Sequence, residues 1–126
     1  MLPTRLVRAG KYVVVYDDEQ DVRKLTPNLP RLAALETEGV IVTARGQSCD
    51  FVVRSFALRD GRAHEEHVSA SAQTRLVPYW SAALGKTHLV ARQLSPRGAE
   101  LFCDDDGTRV HVGGRAVDAV NGTLLV

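Results

Sequence analysis

The chain has 126 residues, 44% of them hydrophobic and 25% charged, which fits one soluble globular domain spanning residues 1–126. Sixteen Lys and Arg against fifteen Asp and Glu leave a net charge of +1 without a basic block, so we expect neither nucleic acid nor an anionic membrane as a partner. No stretch approaches the ~20 apolar residues of a membrane span, and the first residues lack the apolar run of a signal peptide, which predicts a cytoplasmic protein.

Short apolar runs separated by turn signals predict mostly strands. Residues 21–25 indicate a short helical turn, and Asn28 is a candidate cap for a helix that ends at Gly39. Residues 60–61 and 104–107 are predicted turns. The predicted strands are 11–16, 40–43, 50–58, 88–93, 99–103, 108–112 and 115–120.

Residues 64–86, HEEHVSASAQTRLVPYWSAALGK, contain the main helix. The segment is apolar on nearly every helical face, which is typical of a helix surrounded by protein. Gly85 is the expected stop, and Pro78 predicts a kink or a late start. The sequence therefore predicts an α+β fold, in which an antiparallel barrel-like sheet wraps around one central buried helix. Neither face of the strand at 50–58 is cleanly polar, which suits a sheet covered on both sides.

Several blocks in order resemble the C-terminal half of the PhzF family, the phenazine biosynthesis-like isomerases of the diaminopimelate epimerase-like fold. They are GVIVTARG, CDFVVRSFALRDG, EEHVSASA, PYWSAALGKTHLVARQLSPRGAEL and GGRAV. The resemblance implies two similar domains in a complete member, each with a sheet around a central helix. It also implies an active site in the cleft between them, where a carboxylate moves a proton on a small carboxylated metabolite.

The family motif is close to EDPVTGSA, and here it reads EEHVSASA over residues 65–72. On this match Glu66 takes the place of the family's aspartate and Ser71 that of its serine. The chain departs from the motif at His67, Ser69 and Ala70, which replace a proline, a threonine and a glycine. The N-terminal half, with the family's principal acid/base glutamate, has no counterpart in the sequence.

Glu66 is the candidate proton carrier, with His67 as a second one. A catalytic carboxylate needs a partly dry cleft, but Glu65 and Glu66 are equally well explained as acids that stabilise a helix N-terminus. Backbone N–H groups at that terminus could hold a substrate carboxylate, so the substrate-binding candidates are Ser69, Ala70, Ser71 and Ala72. The alternative is that Ser69 is simply a helix cap.

No metal or cofactor is expected. The HEEH run at residues 64–67 lacks the HExxH spacing of a zinc protease, and the acidic run at 104–106 is too short for a calcium loop. Cys49 and Cys103 belong to no CxxC pair, so we expect two reduced thiols packed as small apolar groups.

Three hypotheses on function follow. In the first, the chain is a PhzF-like isomerase whose site is completed by a second subunit, either in a homodimer or from a separate protein that resembles the N-terminal half. In the second, it is a non-catalytic protein that binds a small anion or assists a biosynthetic pathway. In the third, Met1 begins a fragment of a longer protein. A hot-dog-like thioester enzyme is a distant alternative, since no pantetheine site is evident.

Overall fold

The computed structural model describes residues 5–9 and 11–114. These residues form eight strands, β1 (Arg5–Ala9), β2 (Lys11–Tyr16), β3 (Gly39–Arg45), β4 (Phe51–Arg59), β5 (Arg62–Glu65), β6 (His88–Gln93), β7 (Ala99–Asp105) and β8 (Val110–Gly114). The three helices are α1 (Glu19–Arg23), α2 (Leu29–Ala33) and α3 (Ala70–Leu84). The prediction misses β1 and β5, and the strand predicted at 115–120 lies outside the described residues.

The strands form one sheet along the path β1-β2-β3-β4-β6-β7-β8, with β5 paired to β4 off this path. The expectation of an antiparallel sheet is wrong, because β2 runs parallel to β3 and β4 runs parallel to β6. Parallel neighbours need a long crossover between them. Helices α1 and α2 occupy the first crossover, and β5 and α3 occupy the second, so the fold is mixed α+β.

Each face of the sheet carries its own apolar cluster, so the prediction of a sheet covered on both sides is confirmed. Helix α3 packs on one face, where Leu76 and Val77 meet Phe51 and Val53 of β4. Val22 of α1 packs on the opposite face, in a cluster that also holds Tyr16, Val40, Val42, Ala44, Val52 and Phe56. Alternate residues of β4 therefore belong to alternate clusters, as the period of two in a strand requires.

Helix α3 begins at the capping residue Ser69 and ends at Gly85, whose φ of 67° is the left-handed conformation expected at a helix stop. Pro78 lies inside the helix, eight residues after its first residue, so the expectation of a late start is wrong. The helix buries one face. Exposed residues on the other side within the described chain are Ser71, Thr74, Pro78, Ala82 and Ala83.

Helix α2 starts at the predicted cap, because the Asn28 side chain accepts a hydrogen bond from the Arg31 N–H at 3.1 Å. It ends at Ala33, well before the predicted stop at Gly39, which instead begins β3. No residue of α2 is fully buried, and short helices persist mainly through packing. None of the helices in residues 11–114 is long and apolar enough to cross a membrane.

A buried hydrogen bond fastens α3 to the sheet. The Trp80 indole Nε1 donates to Thr43 Oγ1 at 3.0 Å, and that hydroxyl donates to the Val52 carbonyl at 2.7 Å. Thr43 is fully buried and Trp80 is 5% exposed, so water cannot replace either bond.

We expect Thr43→Val to lower the free energy of unfolding by about 1–3 kcal/mol, because the shape is kept while the buried indole N–H loses its acceptor. Chemical denaturation followed by Trp80 fluorescence measures this change. Thr26→Val, at an exposed loop threonine, is the matched control and should leave the free energy of unfolding unchanged. Equal effects of the two substitutions would contradict the role assigned to Thr43.

Candidate functional site

A tight hairpin sets the geometry of the site. β4 and β5 are joined by Asp60 and Gly61, whose φ values of 54° and 71° both lie in the left-handed region. Two such residues form the hairpin turn that matches the twist of the flanking strands. The pairing that results places Ala57 opposite His64 and Phe56 opposite Glu65.

This register sends the two neighbouring carboxylates to opposite faces of the sheet. Glu65, opposite Phe56, accepts two hydrogen bonds from the Arg54 guanidinium at 3.0 and 2.8 Å. Arg54 also donates to the carbonyls of Val22 and Leu25, so it joins β5 to the end of α1. Glu65 is thus part of a structural ion pair on the α1 face.

Glu66 lies on the α3 face, where β4 holds both its backbone and its side chain. Its N–H donates to the Ser55 carbonyl at 2.8 Å, and its Oε1 accepts from the Ser55 hydroxyl at 2.8 Å. Ser55 is 1% exposed, so this orientation is sheltered from competing water. Ser55 therefore holds the Glu66 carboxylate in one orientation, as a proton carrier requires.

Beside Glu66 is a polar cleft of about 550 Å³. Its lining combines two cations, two carboxylates, an imidazole and small or apolar groups, from Lys11, Glu38, Ala57, Leu58, Arg59, His64 and Glu66. The cleft is large enough for a small metabolite. The other predicted site residues do not line it.

His67 is exposed and is held by Ser95, in the loop after β6. The Ser95 hydroxyl donates to the His67 carbonyl at 2.7 Å and lies 3.2 Å from His67 Nδ1. The hydroxyl that donates to the carbonyl can also accept a hydrogen bond from Nδ1. Within the described residues no three His, Cys, Asp or Glu side chains are grouped so as to hold a metal ion.

The start of α3 is capped by Ser69, as the structural alternative predicted. The Ser69 hydroxyl accepts from the Ala72 N–H at 3.3 Å and lies 3.4 Å from the Ser71 hydroxyl. Ala70 is the first residue of the helix, and the Ala72 side chain is buried in the core. Among the four substrate-binding candidates, Ser71 is the one that exposes a hydroxyl to solvent.

Two buried glutamines are not among the predicted site residues. Gln73 donates to the Ser69 carbonyl at 3.5 Å, and its Oε1 has no partner in the described chain. Both amide atoms of Gln93 also lack one there, although the residue is only 1% exposed. Polar residues at core positions of a helix and a strand are the sequence signal that identifies them.

Neither cysteine is disulfide-bonded, as predicted. Burial raises the pKa of the Cys103 thiol to about 11. Burial, with help from the Glu19 carboxylate, also raises the pKa of Cys49. Both thiols are therefore protonated at neutral pH, which is unsuited to nucleophilic chemistry.

Comparison with known proteins supports the resemblance read from the sequence motifs. A Pseudomonas aeruginosa protein named as an uncharacterized isomerase is 44% identical over 119 residues, which is 94% of this chain and 46% of that protein. A PhzC/PhzF phenazine-biosynthesis protein from Clostridium difficile superposes with a TM-score of 0.88 at 34% identity, covering 100% of this chain and 49% of that one. This chain is a PhzF-family homologue.

A second solved structure, a PhzF-family phenazine biosynthesis protein from Enterococcus faecalis, gives a TM-score of 0.84 at 41% identity, over 89% of this chain and 43% of that one. No protein-family model matches the chain. The chain spans about half the length of the PhzF-like proteins that it matches.

The cap geometry predicts different effects for the two serines at the start of α3. We expect Ser69→Ala to reduce stability by about 1 kcal/mol, because the Ala72 N–H loses its acceptor, and Ser71→Ala to change it little. Thermal unfolding of both variants measures this difference. A larger loss in Ser71→Ala would show that the cap has been assigned to the wrong serine.

Proposed function

We propose that the protein is a PhzF-like isomerase, in which Glu66 transfers a proton on a small carboxylated metabolite. The supporting observation is the carboxylate of Glu66, which Ser55 fixes beside a polar cleft, in a chain similar to proteins named as isomerases. Its neighbour Glu65 is committed to Arg54, so Glu66 is the acid of this pair that is available for chemistry.

The proposed step moves one proton between two carbons of the substrate. Ser55 occupies Oε1 of Glu66, which leaves Oε2 to accept the proton as a C–H bond breaks. The electron pair of that bond shifts into the adjacent unsaturated system of the substrate. Return of the proton from Oε2 to a different carbon completes an isomerisation with no net change of atoms or electrons. His67, which lies outside the lining of this cleft, is the second candidate proton carrier.

The other wall of the site is proposed to come from a second subunit. A homodimer would place two α3 N-termini across one cleft, and a separate protein that resembles the N-terminal half of the family would place its own helix there. In the proposed assembly the sheet wraps around α3, which becomes its central helix. This arrangement covers the face of α3 that exposes Thr74 and Ala82. The proposed setting is the cytoplasm.

A second candidate is a protein that binds a small anion without catalysis. The departures from the family motif at His67, Ser69 and Ala70 favour it, since they lie where the family's substrate would be held. In that case the helix start and Ser71 would retain a role in binding, whereas the Glu66 carboxylate would not be required.

Proton transfer is tested directly by deuterium incorporation. We expect the wild-type protein to exchange a carbon-bound proton of at least one member of a panel of small unsaturated carboxylates in D₂O, as followed by ¹H NMR. Glu66→Gln should slow this exchange by about 10²-fold or more, because the amide cannot accept the proton. Glu36→Gln, at an exposed carboxylate outside the cleft, is the matched control.

Exchange that persists in Glu66→Gln would contradict the catalytic role of this residue. If no panel member exchanges but one binds, and if Ser71→Ala abolishes that binding while Glu66→Gln preserves it, the anion-binding alternative is the correct one. Each variant should first show an unchanged thermal unfolding midpoint, so that a loss of activity is not a loss of fold.

A further inference from the structure

A row of four residues crosses four strands beside Glu66, and three of these residues, Lys11, Ala57 and His64, line the cleft. Gly39 pairs with Ala57, and Ala57 pairs with His64. Lys11 of β2 lies next to Gly39, because a Cβ built on that glycine would meet the Lys11 side-chain carbons at 3.4 and 3.6 Å. Two small residues thus separate a cation from an imidazole.

The two small residues leave room for the Lys11 side chain and for the cleft. The Lys11 side-chain carbons lie over Gly39, and Ala57, which has only a methyl group, lines the cleft. Gly39 cannot be enlarged without strain, because its Cβ would lie 3.0 Å from the Phe56 carbonyl oxygen. The backbones of Lys11 and His64, at the two ends of the row, are three strand spacings apart, about 14 Å.

The two cations of the cleft have no partner within the described residues. Lys11 and Arg59 both line it, yet the charged group of neither forms an ion pair or a hydrogen bond with a described residue. Glu38 and Glu66 line the same cleft, but neither carboxylate forms an ion pair with Lys11 within the described residues. The Lys11 ammonium group is therefore available to a ligand carboxylate.

We infer that Lys11 binds the carboxylate of the ligand and thereby sets its orientation, with Arg59 at the rim. The opposite end of the ligand then lies against Glu66 and His64. Glu38 and Glu66 already place two negative charges in the cleft, so the ligand carries one carboxylate at the Lys11 end and an uncharged reacting end. This inference rests on the proposed function for the identity of the reacting end only.

The substrate class is therefore a small monocarboxylate whose charge lies several atoms from the reacting carbon. A second carboxylate at the reacting end would meet Glu66 and be repelled. Lys11 is a positioning and specificity residue in this scheme, because its ammonium group contacts the substrate away from the bond that breaks.

Butyrate and its neutral isostere butyramide are suitable probes, because they differ only in the charge that Lys11 would recognise. We expect NMR chemical-shift titration of the full chain to show that butyrate binds and that butyramide does not bind over the same range. Lys11→Gln should weaken butyrate binding by about tenfold or more, as expected for loss of a charge-assisted hydrogen bond. Lys24→Gln, at an exposed lysine outside the cleft, should leave it unchanged.

Two further variants separate this inference from the proposed function. Glu66→Gln should bind butyrate as well as the wild type or more tightly, since it removes a like charge, even though it loses proton exchange. Ala57→Leu should block binding by filling the centre of the row. Butyrate binding that is absent from the wild type, unaffected by Lys11→Gln or matched by butyramide would overturn the assignment.

Discussion

The pairing of β4 with β5 is the constraint on which the rest of the candidate site depends. Side chains alternate between the faces of a strand, so the register that sets Glu65 opposite Phe56 sends Glu65 to the α1 face and Glu66 to the α3 face. A slip of one residue would exchange the two carboxylates. The turn at Asp60 and Gly61, with both residues in the left-handed region, fixes this register.

The elements with strong local patterns could be predicted from sequence. Strands β2 and β6 have the predicted bounds, and the stop of α3 at Gly85 follows from a general property of glycine. Strand β5 could not be predicted, because RAHE has little strand propensity and forms through pairing with β4. The parallel pairs escape prediction for a related reason, since strand direction depends on where the crossovers pass.

The candidate site was only partly predictable for the same physical reason. The motif identifies Glu66 and Ser71 through resemblance, and a serine before a helix identifies the cap at Ser69. The sequence does not separate Glu65 from Glu66, because the choice between them depends on Arg54 and Ser55, which lie on another strand. Lys11 is still more remote, since a row across four strands has no signature in any single segment.

In the proposed function, this chain supplies one wall of a two-walled site, with the fixed Glu66 carboxylate and the Lys11 cation in one cleft and the capped start of α3 outside the lining of that cleft. Pulsed electron spin resonance tests the second wall with two variants in a Cys49→Ser background. One carries a spin label at Ser71→Cys and the other at Ala83→Cys. Cys103 can remain because its buried thiol is protonated. A homodimer predicts dipolar coupling in both variants, with a shorter distance at position 71 than at position 83. Absence of coupling, or the reverse order of distances, would contradict the homodimer as the source of the second wall.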